Sequence, residues 1–82
     1  MKQPIFALKD TKSFFQPPFV DVNEALAVRH VKNALDSANE FSKNPADFEL
    51  WKLGEYDNET GIITSKLEHV VNCSSLVKDV IS

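Results

Sequence analysis

The most regular hydrophobic pattern in the chain lies between residues 22 and 40. Apolar side chains recur there at intervals of three and four residues, which is the spacing of one face of an α-helix. We predict an amphipathic helix over residues 22–40, with Asp21 as its N-cap and Glu24 completing a capping box. The opposite face, which includes Arg29, is expected to contact water. The predicted inner face carries Ala27, Val28, Val31, Ala34, Leu35 and Ala38.

Shorter segments have the composition of β-strands. Residues 4–8 form an apolar run, interpreted as a strand near a sheet edge because Pro4 cannot donate a hydrogen bond. Residues 48–53 and 61–64 are predicted to pair as a hairpin. The turn between them, over residues 57–61, requires Gly61 in a left-handed conformation.

The pattern after residue 66 leaves two structures open. Residues 69–71 fit a further strand, whereas Ser74 or Ser75 could cap a short helix. Together the elements predict one α+β domain over residues 1–82. It would combine a small antiparallel sheet, made of the N-terminal strand and the hairpin, with one main helix packed on one face.

Composition narrows the class of protein. With 82 residues, 43% of them hydrophobic and 26% charged, the chain has the make-up of one ordinary globular domain. It has no apolar run long enough to span a bilayer, and its first residues do not form a signal peptide. A single cysteine excludes an internal disulfide framework. We therefore expect an intracellular protein that does not enter a membrane.

Enzyme chemistry finds little support in these residues. His30 and His69 have no metal-ligand spacing, and Cys73 has no evident base partner, so we interpret that cysteine as a small buried side chain. Two glycines cannot build a phosphate-cradling loop, and the acids around residue 57 do not match an EF-hand. We predict a protein that is not an enzyme and that has neither a metal nor a cofactor.

Charge is distributed unevenly along the chain. The net charge is −3, but residues 1–43 hold six bases and five acids, whereas residues 44–82 hold three bases and seven acids. Because DNA binding depends on neutralised phosphates, a DNA partner would have to face the N-terminal half, or several subunits would have to pool their bases. We therefore predict a homo-oligomer, with a dimer as its minimum.

Residues 9–19 interleave lysines with phenylalanines on a stretch that its prolines keep from forming a helix. Cations beside exposed aromatic rings are the chemistry of single-stranded nucleic-acid binding. The same phenylalanines could instead serve the core, or a partner or dimer interface. The candidate DNA-binding residues are Lys9, Lys12, Phe14, Phe15, Arg29 and Lys32.

Several motifs also resemble a known family. The most specific is Pro45-x-Asp47-Phe48-x-Leu50-Trp51-x-Leu53-Gly54-x-Tyr56-Asp57-x-x-Thr60-Gly61. Weaker ones are Met1-Lys2-x-x-Ile5-Phe6-x-x-x-Asp10, Pro18-Phe19 and Ala27-x-Arg29. Over residues 1–65 the chain resembles the small non-structural protein of gokushoviruses, which are single-stranded-DNA phages of the Microviridae.

The resemblance implies a DNA-binding protein of the host cytoplasm. In that family the protein is described as acting in the switch from genome replication to single-stranded DNA packaging. Single-stranded viral DNA is the favoured partner, and the phage replication initiator or the procapsid is a further candidate partner. Two alternatives stay open: a protein-interaction module that binds the initiator or procapsid without contacting DNA, and a small scaffold component.

Overall fold

Four antiparallel strands form one sheet in the computed structural model, which describes residues 1–35 and 44–76. In chain order the elements are β1 (Lys2–Asp10), β2 (Phe19–Val20), helix α1 (Glu24–Leu35), β3 (Phe48–Asp57) and β4 (Ile63–Asn72). The strand order in the sheet is β2-β1-β3-β4. Short 3-10 turns precede β3 and follow β4. The predicted combination of a small antiparallel sheet with one helix is confirmed.

Strand β1 lies inside the sheet, which corrects its predicted position near an edge. It pairs with β3 along its whole length, and on its other side β2 pairs with Ile5 and Phe6. The carbonyl oxygen of Pro4 accepts the N–H of Asp21 at 3.2 Å, just beyond the end of β2. The N–H and C=O of one strand residue face the same neighbouring strand, and the Pro4 oxygen faces away from β3. The lack of an N–H at Pro4 therefore removes no hydrogen bond between β1 and β3. The sequence did not predict β2 because a strand of two residues is too short to show an alternating hydrophobic pattern.

Helix α1 begins at Glu24, two residues later than predicted, and its cap is Asn23 rather than Asp21. The Asn23 side-chain oxygen accepts the N–H of Leu26 at 2.9 Å, the bond that an N-cap residue makes. Asp21 instead places Oδ2 2.7 Å from Nδ1 of His30. Asp and Asn cap helices equally well, so composition alone could not choose between them. The predicted end of the helix, near residue 40, lies outside the described residues.

The core joins the helix, the sheet and the turn after β4. Its buried cluster consists of Phe6, Ala27, Val31, Leu50 and Cys73. Ala27 and Val31 were predicted on the inner helix face, and they are 0% and 4% exposed. The small alanine lets the helix backbone approach its neighbours closely.

The hairpin is longer than its sequence pattern indicated. Residues 69–71, which fit a further strand, continue β4 instead, and the chain then forms a 3-10 turn over Cys73–Leu76. The predicted turn is confirmed: Gly61 has a φ of +79° and donates its N–H to the carbonyl oxygen of Asp57 at 2.7 Å. The remainder of the alternative C-terminal helix, beyond residue 76, lies outside the described residues.

Gly54 marks an irregularity in the middle of the hairpin. The register shifts on both sides of β3 between Lys52 and Gly54, and Gly54 has a φ of +155°. A Cβ atom at this position would collide with the carbonyl oxygen of Thr64. Only glycine has the conformational freedom and the small size that this crossing of β3 and β4 requires.

Candidate nucleic-acid interface

The two faces of β1 are covered differently. Side chains alternate along a strand, so Phe6 and Leu8 point to one face while Ala7 and Lys9 point to the other. Phe6 belongs to the buried cluster, and Leu8 packs against it. Ala7 is fully buried but lies outside that cluster, and the residue opposite it on β3 is Trp51. Trp51 is therefore on the second face of the sheet, with Lys9.

Four side chains gather on this second face: Lys9, Phe15, Trp51 and His69, which we call the aromatic cluster. The Trp51 ring meets Phe15 edge to face, with centroids 6.2 Å apart, and meets His69 in the same way at 5.3 Å. The Lys9 Nζ atom lies 5.5 Å from the Trp51 centroid and 5.6 Å from that of Phe15. Both distances are within the range of cation–π attraction.

The loop after β1 brings Phe15 into this cluster. Phe15 forms an antiparallel bridge with Lys9, and the N–H of Gln16 donates to the carbonyl oxygen of Leu8 at 2.7 Å. The prolines at 17–18 then keep the backbone extended until β2 begins. The loop therefore runs back along the outer edge of β1, and Phe15 is 40% exposed there.

Hydrogen bonds orient two rings of the cluster, those of Trp51 and His69. The Trp51 Nε1–H donates to Oε1 of Glu49 at 2.9 Å, and Nε2 of His69 lies 2.9 Å from Oδ1 of Asn72. Glu49 is also the cross-strand partner of Lys9. The indole is thereby held in one orientation, and a carboxylate lies on the same surface as the lysine.

Sequence reasoning identified two of these four side chains. Lys9 and Phe15 were candidate DNA-binding residues, and the structure brings them together. Trp51 and His69 were missed as site residues. Trp51 was placed in a predicted strand and in the family motif, without a binding role. Locating His69 opposite it requires the register of β3 and β4, which shifts between Leu50 and Trp51.

The other four candidates do not join the cluster. Lys12 places Nζ 3.4 Å from Oδ1 of Asp47, and Phe14, at 78% exposure, projects from the loop. Arg29 and Lys32 are exposed on α1. The six predicted positions therefore do not form one continuous patch within a single chain.

An apolar groove of about 310 Å³ lies further along the sheet. Ile5 shares the face of Ala7 and Lys9 by alternation, and it lies opposite Val20 of β2. Tyr56 and Ile63 face each other across the hairpin. The groove is lined by Ile5, Pro18, Phe19, Val20, Tyr56 and Ile63.

Metal binding, membrane insertion and thiol chemistry are the remaining candidate functions of residues 1–35 and 44–76. This part of the chain holds no group of three or more His, Cys, Asp or Glu side chains arranged to bind a metal ion. Nor does it hold a helix long and apolar enough to cross a membrane. Burial, with a smaller contribution from the charge of Glu49, raises the pKa of the Cys73 thiol to about 11. Cys73 therefore stays protonated at neutral pH and acts as a core side chain.

Comparison with known proteins identifies a phage family. Residues 3–76 match the family described as Phage ORF5 protein, and the chain therefore belongs to that family. No curated protein and no solved structure matches the chain significantly.

Proposed function

We propose that this phage protein binds single-stranded DNA through the aromatic cluster of Lys9, Phe15, Trp51 and His69. The observation that carries the proposal is the position of the Lys9 ammonium group, within 5.6 Å of two aromatic ring centroids on one face of the sheet. Stacking on aromatic rings holds bases of any sequence, while a neighbouring cation attracts the phosphates.

The geometry favours single strands over duplexes. Bases in a duplex are already stacked on each other, so aromatic side chains reach them only in single-stranded or unpaired DNA. In this proposal α1 covers the opposite face of the sheet through Ala27 and Val31, which leaves the aromatic face for the ligand. The groove around Tyr56 extends that face and offers a further aromatic ring.

The biological role that we propose follows from the sequence resemblance. The protein would act in the host cytoplasm as a non-structural, non-enzymatic gokushovirus protein. By coating newly made single strands it would favour their packaging over their conversion to duplex. Membership in a phage protein family supports the viral context. The aromatic cluster supports the choice of ligand.

Binding can be measured with a fluorescently labelled oligonucleotide of mixed sequence, single-stranded or annealed, at two salt concentrations. We expect tighter binding of the single strand and weaker binding at higher salt, because phosphate contacts release counterions. Trp51 is the only tryptophan, so base stacking should also quench the intrinsic fluorescence. Equal affinity for both forms, with unchanged Trp51 emission, would contradict the proposal.

A matched pair of variants locates the site. Lys9→Ala and Lys2→Ala remove the same charge from the same strand, but the two positions differ in parity and so point to opposite faces. Lys9→Ala should weaken binding of the single strand by about three- to tenfold, and Lys2→Ala by much less. Equal losses would mean that the strand contributes only diffuse charge.

The apolar groove favours one alternative, a protein-interaction module that binds the replication initiator or the procapsid. Its lining offers side chains suited to an apolar protein contact, including Val20 at 45% and Ile63 at 64% exposure. Such binding would depend little on salt. This protein contact would be lost in Ile63→Asp. Adding DNA would leave the Trp51 fluorescence unchanged.

A further inference from the structure

Strand β4 has one free edge in the described part of the chain. It stands last in the strand order, so within residues 1–35 and 44–76 only β3 pairs with it. Residues 63–69 are exposed throughout, and Leu67 is 58% exposed. A strand edge of this length presents unpaired N–H and C=O groups that another strand can satisfy.

The charges in the middle of β4 fit a second copy of the same strand. Lys66 and Glu68 are exposed and form an ion pair of 3.8 Å with each other. Against β3 the register shifts between Ser65 and Glu68, where β4 has one residue more than the strand opposite. If the outer edge pairs residue for residue about a two-fold axis at Leu67, Lys66 of each copy lies opposite Glu68 of the other. Two ion pairs then flank a contact between the two Leu67 side chains.

Other registers are disfavoured by the same residues. A register slip of two residues in one direction places the Lys66 residues of the two copies opposite each other. The same slip in the other direction places the two Glu68 residues opposite each other. Like charges directly opposite each other destabilise a strand pair. A slip of one residue would turn the aromatic faces of the two copies to opposite sides.

We infer that this chain forms a homodimer by antiparallel pairing of β4 with β4 of a second copy, in the register that joins Lys66 to Glu68. The two sheets then form one sheet of eight strands. Because its two-fold axis is perpendicular to the sheet, both aromatic clusters lie on the same side. On the proposed function, this common side holds two copies of Lys9 for one DNA strand, which offsets the low number of bases in each chain.

Charge reversal tests the register without DNA. Sedimentation equilibrium should show a dimer for the unchanged protein, and Lys66→Glu should raise its dissociation constant by about tenfold or more. The double variant Lys66→Glu with Glu68→Lys should restore dimerisation, because the swapped charges are again complementary. Lys32→Glu, the same change on the exposed face of α1, should leave the dissociation constant unchanged.

A second pair of variants separates pairing from folding. Leu67→Asp brings two carboxylates together on the axis and should abolish the dimer, whereas Val22→Asp, at 60% exposure before α1, should not. Circular dichroism should show folded protein in both variants. A monomer at high micromolar concentration, or a double variant no better than Lys66→Glu, would overturn the inference. The register shifts between β3 and β4 would then be what protects the edge from pairing.

Discussion

Leu50 and Trp51 are neighbours in β3, yet they belong to two different kinds of packing. Leu50 is fully buried in the cluster formed with the helix and with Cys73. Trp51 points to the other face, where a lysine, a histidine and an exposed phenylalanine surround it. Both residues are large and apolar, so hydrophobicity does not separate a core position from a position on the candidate binding surface. The distinction lies in what covers each side chain and in whether a charge stands beside it.

The largest effect that we predict tests the buried side of this comparison. Leu50→Ala should lower the free energy of unfolding by about 2–5 kcal/mol, because the truncated side chain leaves a cavity among fixed neighbours. Trp51→Phe keeps an aromatic ring on a partly exposed site and should cost less than about 1.5 kcal/mol. Urea denaturation followed by circular dichroism measures both. Similar losses would mean that the two faces are packed alike.

The backbone of the hairpin offers a second test, in which Gly54 is compared with Gly61. Gly54→Ala should destabilise the protein by about 2 kcal/mol or more, because the new Cβ combines backbone strain with a collision against Thr64. Gly61→Ala introduces strain alone, since the space around that turn is open, and should cost about 1 kcal/mol. If the two variants melted at the same temperature, the crowding at the crossing of β3 and β4 would have no energetic weight.

Substitutions in α1 should lower the free energy of unfolding by a smaller amount. Leu35 is only partly buried against the core, so Leu35→Ala should cost about 1–2 kcal/mol, less than truncation of a fully buried leucine. Arg29→Ala on the exposed face should change stability by about 0.5 kcal/mol or less. Equal losses at these two positions, in the same denaturation experiment, would contradict the orientation of α1.

The sequence predicted those features whose signal is local. The spacing of Ala27 and Val31 defined the buried side of the helix, and Gly61 identified the hairpin turn. The predicted helix cap was wrong because Asp21 and Asn23 have the same capping chemistry. In the structure Asn23 accepts the N–H of Leu26, whereas Asp21 contacts His30. Local chemistry therefore predicts an element better than it predicts its first residue.

The candidate site was predicted less completely because it depends on register. Lys9 and Phe15 are close in the chain, so their association could be anticipated from residues 9–19. Trp51 and His69 are eighteen positions apart and meet only because β3 and β4 pair with an irregular register. Bulges change which residues face each other across two strands, and they leave no periodic signal in the sequence.

The smallest predicted effect concerns acid stability at the tip of the hairpin, where residues 58–62 are exposed. The Glu59 N–H donates to Oδ1 of Asp57 at 2.9 Å, and the N-terminal ammonium group lies 3.6 Å away. These contacts, the backbone hydrogen bond above all, hold the pKa of Asp57 below its ordinary value of 3.8 despite some desolvation. A lowered pKa means that the folded state prefers the charged form.

The sign of the pH dependence follows from that preference. The stability that Asp57 contributes is fully present above its unfolded pKa and is lost as the pH falls through the lower folded value. Asp57→Asn should therefore lower the melting temperature slightly at neutral pH and converge with the unchanged protein as the pH drops below 3.8. Glu55→Gln, on the same strand, serves as the control. A gap in melting temperature that stayed constant through this range would show that the Asp57 carboxylate contributes through its shape and not through its charge.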